Sequence, residues 1–368
     1  MQIIILGLFL RILIAIWNGF FGPSMGAEGD ALTFHLLAVG QYGNLEEAKF
    51  QYGWVYSIFL FYFYAFTIES LFLGSLLSCF IWLISAIYFD KSLRLLEISK
   101  SNRNIALLIY ALLPSAILFT AVTLREVYQL MFVSISIYAA IKIINDRSTK
   151  HWLVLIVSCL GMSILHVGLL AYSLFLVLLT FYFGAGVRKP GLTFEKILFY
   201  VPFLIIVGTY GAVSFESISD QGGYNADFSE GIATAVETYQ SGHNEARAMY
   251  TYKPQIDGLT GLALFIPVSL FQYLFEPMPW RISTLFDIAL FFENLLRGFL
   301  IFSMIHAYLS FDSREKNKYL LRYILLAYFA LEVLWAMGTV NWGSAARHHI
   351  PAMGLLILGS LAFKRKKV

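Results

Sequence analysis

The chain has 368 residues, of which 59% are hydrophobic and 13% charged, with a net charge of +3. Soluble domains carry about 25% charged residues, so this balance, with a mean hydropathy of +0.71, excludes a soluble globular protein and points to the membrane. The small positive excess is no sign of nucleic-acid binding, because the basic residues have a topological explanation.

Apolar stretches long enough to be membrane helices run over 2–20, 70–89, 105–122, 127–145, 152–166, 167–185, 197–214, 285–308, 319–338 and 349–363. The first has no basic leader and no small-residue cleavage site, so it reads as a retained span. Two further stretches, 51–67 and 259–275, are short and flanked by Tyr52, Trp54, Tyr273 and Trp280. They read as juxtamembrane or re-entrant segments lying against the outer leaflet. The expected fold is therefore all-α, one polytopic membrane domain over 1–368, with about 10 transmembrane helices and outer loops at 21–69 and 215–284. Cys79 and Cys159 fall inside spans and read as small packing residues.

Five basic clusters set the topology. They are Lys91 to Arg103, Lys142 to Lys150, Arg188 to Lys196, Arg314 to Arg322 and the tail Lys364 to Lys367, and they hold 18 of the 26 Lys and Arg residues. The positive-inside rule makes all five cytoplasmic, with both termini inside. An outside N-terminus with 51–67 crossing is the competing solution. Of the remaining cations, Arg11 and Arg297 lie within spans, where an ionised group is functional or paired. The others fall in outer segments or at outer helix ends, where an anion is the simplest partner.

Five polar constellations then share the outer face. The loop Gly26-Ala27-Glu28-Gly29-Asp30 carries two carboxylates suited to acid–base work, and it also reads as a solvated turn. A helix with mid-span Pro114 ends in Arg125-Glu126. His166 lies between two abutting spans. Phe275-Glu276-Pro277-Met278-Pro279-Trp280-Arg281 closes the second non-crossing stretch. Asn341-Trp342-Gly343-Ser344-Ala345-Ala346-Arg347-His348-His349-Ile350-Pro351 opens the last span. Arginine forks suit phosphate, and a carboxylate beside them suits a general base. Adjacent histidines on a helix point about 100° apart, which argues against a shared metal. No Walker loop, dinucleotide fingerprint, HExxH or GxSxG is present.

In this order the features resemble the GT-C glycosyltransferases, a polytopic family that includes protein O-mannosyltransferases and the lipid A aminoarabinose transferase. The resemblance rests on Gly29-Asp30, on Tyr52-Gly53-Trp54-Val55-Tyr56, on the proline-bearing helix before Arg125-Glu126, and on Arg347-His348-His349-Ile350-Pro351. It covers the first 190 residues loosely and the last 30 by a short motif, and a soluble C-terminal domain is missing. It implies transfer from a polyprenyl-phosphate-linked sugar to a lipid-linked glycan or other acceptor, at a bacterial inner membrane. Asp30 would be the catalytic base, with Glu28 in reserve. Arg125, Glu126, His166, Arg281, Arg347 and His348 would bind the substrate phosphate. No metal ligand set is assigned, and a divalent cation bridging carboxylate and phosphate stays open. A polysaccharide polymerase leaning on Arg247 is the first alternative. A transporter or flippase of lipid-linked sugars, with charged groups lining a midplane cavity, is the second.

Overall fold

The computed structural model describes residues 1–23, 29–40, 54–184, 247–252, 258–311 and 316–362. The expected span at 197–214, Glu28 and most of the loop from 215 to 258 lie outside the described residues. Among the described residues fourteen α-helices follow in order: α1 Gln2–Phe20, α2 Asp30–Ala38, α3 Trp54–Phe66, α4 Leu71–Leu95, α5 Lys100–Leu112, α6 Pro114–Phe119, α7 Glu126–Asp146, α8 Lys150–Leu165, α9 Val167–Gly184, α10 Gly258–Phe275, α11 Leu285–Ser310, α12 Lys316–Gly338, α13 Trp342–His348 and α14 Ile350–Leu361. The same residues contain no strand, only an isolated bridge between Met249 and Asn341.

The protein is an α-helical membrane protein. Among the described residues five helices, α1, α4, α7, α11 and α12, are long and apolar enough to cross a bilayer, and α3, α8, α9, α10 and α14 carry shorter apolar segments. Burial runs opposite to that of a soluble bundle. On α1 the lipid-facing stripe is Ile5, Phe9, Leu13 and Trp17, while Gly7, Arg11, Ala15 and Asn18 turn inward. On α11 Phe292, Leu295, Phe299 and Phe302 face out, while Asp287, Glu293, Asn294 and Arg297 face in. Small and polar residues inside, with large apolar ones outside, is the pattern of helices packed in lipid. Every residue of α14 is buried, enclosed mainly by α5, α7, α11 and α12.

Close approach of α1 to α4 depends on Gly19. A Cβ there would overlap both the side chain and the Cα of Phe72. Gly19→Leu is expected to destabilise the protein by about 1–3 kcal/mol, as overpacking does, and so to lower the melting temperature of the detergent-solubilised protein. An unchanged melt would show that α1 can slide away freely.

The two ends of the bundle differ in charge. Arg94 and Arg103 bind Asp90, Lys142 binds Asp146, and Lys318 donates to the Phe311 carbonyl. All of these sit where α4, α7 and α11 finish and α5 and α12 begin. The opposite end collects the start of α2, the start of α7, the α8–α9 junction and α13. The short helix α3 keeps to this second end, since Tyr56 touches Phe34 and Tyr128 while Tyr64 meets His35.

The expected single span over 105–122 is corrected. Proline has no N–H and disfavours helical geometry in the residue before it, so the helix stops at Leu112 and restarts at Pro114, with Leu113 extended. The break frees the Ala111 carbonyl and the Ser115 N–H, which would otherwise bond each other. Arg11 Nη1 donates to Ala111 O at 2.8 Å, and Ser115 N donates to Glu293 Oε1 at 2.8 Å. Arg11 also donates to Thr120 Oγ1 at 2.7 Å and stacks on Trp82, 3.6 Å from the ring centre. Each ion lies against the half-helix end of opposite sign. Arg125 and Glu126 are corrected with it. They do not finish the proline-bearing helix but open α7, across a loop from Thr120 to Leu124.

Candidate active site

Asp30 begins α2, whose N-terminus favours an acid, and α2 is pinned from behind by Thr123 Oγ1 donating to the Ala31 carbonyl at 2.6 Å. Asn341 caps α13 by accepting from Ser344 N at 2.7 Å, which sets Arg347 and His348 in the last turn, where cations are favoured. The two helices meet head to tail, and Arg347 Nη1 lies 2.5 Å from Asp30 Oδ2. Arg347 is only 16% exposed, whereas Asp30 stays 56% exposed. Arg125, at the N-cap of α7, holds its guanidinium 5.8 Å from the Phe34 ring, one turn along α2 from Asp30.

Two histidines complete the cluster, both against Trp335. The His166 ring lies 4.8 Å from that indole, and His348 stacks on it at 4.3 Å. Their hydrogen bonds fix the tautomers. Gly168 N donates to His166 Nδ1 at 3.1 Å, so His166 keeps its proton on Nε2. Thr339 donates its hydroxyl hydrogen to the Trp335 carbonyl at 2.7 Å, so its oxygen accepts from His348 Nδ1 at 2.8 Å. Neutral His348 therefore has a bare lone pair on Nε2. Burial, reinforced by Arg347, His166 and Arg125, holds the His348 pKa well below the ordinary histidine value. The result is a neutral proton acceptor beside two guanidiniums and one N–H donor.

Asp30, Arg125, His166, Arg347 and His348 thus come together. Glu126 adjoins Arg125 but turns inward, only 3% exposed, and its Oε2 has no partner among the described residues. Arg281 belongs to a neighbouring network. It lies 3.3 Å from Glu276, donates to the Met249 carbonyl and covers Trp342 at 4.5 Å. Trp342 Nε1 in turn donates to Asp287 at 3.0 Å, and Asp287 also takes Arg247 at 2.6 Å. This network braces the start of α13, so Arg281 acts on the site through Trp342. Among the described residues no group of three or more His, Cys, Asp or Glu side chains is placed to hold a metal ion.

Sequence reasoning missed Trp335 and Thr339, which orient His348. An aromatic residue in an apolar span sends no signal of its own. The spacing Trp335–Thr339, one helical turn, becomes informative only once His348 is known to fold back on it. Protein-family models, curated proteins and solved structures return no match to this chain.

Proposed function

We propose that the chain is a membrane glycosyltransferase that moves a sugar from a polyprenyl-phosphate donor to a lipid-linked glycan or similar acceptor on the outer face of an inner membrane. The meeting of Asp30, Arg125, His166, Arg347 and His348 at the end of the bundle opposite Arg94, Arg103, Lys142 and Lys318 carries this reading. Arg125 and Arg347 would neutralise the donor phosphate as it leaves with the electron pair of the sugar bond. His348 Nε2 would take the proton of the attacking acceptor hydroxyl. Asp30 then positions Arg347, and the base moves from Asp30 to His348.

A transporter of the same lipid class gains support from one observation, a cavity inside the bundle lined by Glu293, Arg297, Glu332 and His349. Undecaprenyl phosphate tests the shared element. It should raise the melting temperature of the purified protein, and Arg125→Ala or Arg347→Ala should remove most of that rise. A maleimide that cannot cross the membrane should label Ser24→Cys in intact cells. A melt indifferent to the lipid, or labelling only after lysis, would overturn the proposal.

A further inference from the structure

The cavity of about 30 Å³ between α6, α11, α12 and α14 has room for about two water molecules and lies within the apolar body of the bundle. Its ionisable groups are Glu293 and Arg297 from α11, Glu332 from α12 and His349 at the head of α14. Tyr273 on α10 and Tyr328 on α12 lie in the same region, their buried hydroxyls without a hydrogen-bond partner among the described residues. Glu293 is occupied by Ser115, whose N–H and hydroxyl donate to its two oxygens at 2.8 and 2.5 Å. Arg297 donates to Asn294 and to the Leu274 carbonyl, with no carboxylate within ion-pair distance among the described residues.

His349 decides the protonation of this group. Its Nε2 lies 2.9 Å from the Tyr273 carbonyl, and its Nδ1 lies 2.9 Å from Glu332 Oε2. That carbonyl is open because its helical partner would be the nitrogen of Pro277, which has no hydrogen. A carbonyl oxygen only accepts, so Nε2 must carry a proton. The hydrogen bond to Glu332 then requires a second proton. Either Glu332 is a carboxylic acid donating to Nδ1, or His349 is an imidazolium donating to a carboxylate. A neutral imidazole facing an ionised Glu332 would set lone pair against lone pair. In every consistent arrangement the pair holds one proton more than a neutral histidine beside a carboxylate.

We infer that Glu332 and His349 form an intramembrane binding site for a single proton, exchanged with water through the adjoining cavity. Loss of the proton would leave the Glu332 carboxylate facing the His349 lone pair in a low-dielectric space. A metal cation fits less well, because Ser115 occupies the Glu293 oxygens and Arg297 repels it. His349 directly follows Arg347 and His348, so proton release would be felt at the candidate active site. This inference does not rest on the glycosyltransferase reading.

The test is nitrogen-15 NMR of the histidine-labelled full-length chain in lipid nanodiscs, with His349 assigned by its loss in His349→Gln. The expected His349 signal has a protonated Nε2 and a hydrogen-bonded Nδ1, and stays unmoved through the ordinary histidine pKa of about 6.5. Glu332→Gln, whose amide can also donate to Nδ1, should keep that signal, while Glu332→Ala should abolish it. A bare Nε2, or a His349 signal titrating like an exposed imidazole, would overturn the inference from the wild-type spectrum alone.

Discussion

His348→Ala is expected to lower sugar transfer by about 10²-fold or more, the contribution of a positioned general base, while undecaprenyl phosphate still stabilises the protein. The separation follows from geometry. The phosphate would be held by Arg125 and Arg347, whereas His348 is oriented by Thr339 and Trp335 and offers only a lone pair. Thr339→Val should reproduce part of the loss, because it frees the tautomer without removing the ring. Asp30→Asn keeps an acceptor for Arg347 and should cost only about tenfold, the loss of charge from one hydrogen bond. The pH profile supplies an independent sign. A base works when unprotonated, and the His348 pKa is lowered by burial and by its cationic neighbours. Transfer should therefore persist below pH of about 6.5, where an ordinary histidine would already be protonated. If Asp30→Asn abolishes transfer and His348→Ala spares it, the base is Asp30, as the resemblance implies.

The gathering of these charges is legible in the amino-acid sequence. Cations set apart from the five basic clusters need another partner, and Arg347 and Arg125 lie beside Asp30 and the two histidines. Lipid-facing and inward faces are also implicit, since Arg11, Arg297 and Glu332 within spans have to turn inward. Three things stay hidden, each for a physical reason. Pro114 announces a kink, yet nothing in the pattern says that Arg11 from another helix takes up the freed carbonyl and stabilises a full break. Arg281 is equivalent to Arg347 by composition, and only the folding of Trp342 against Asp287 separates their tasks. His349 adjoins His348 and reads as part of one cluster. A helical step of about 100° sends it instead to Glu332, on the far side of α13.

Glu293 carries the second large prediction. In Glu293→Ala, Ser115 loses both of its acceptors, and its N–H is left unbonded at the helix break, where water is scarce. The carboxylate that shares the cavity with Arg297 also disappears. Removing one member of a buried charge arrangement costs about 3–5 kcal/mol, so the variant should melt well below the wild type or fail to insert. Glu293→Gln keeps one carbonyl oxygen for the Ser115 N–H, and the Ser115 hydroxyl can turn to accept from the new amide. Its cost should be nearer the roughly 1–3 kcal/mol of a disturbed buried hydrogen bond. Ser115→Ala separates the two contributions. It removes the hydroxyl but leaves the N–H, so the Glu293→Ala penalty should shrink only in part in that background, a coupling that a double-mutant cycle reads directly. Equal melts for Glu293→Ala and Glu293→Gln would mean that the charge at 293 does not stabilise the break. The stability of α6 would then come from its packing against α1, α5, α11 and α13.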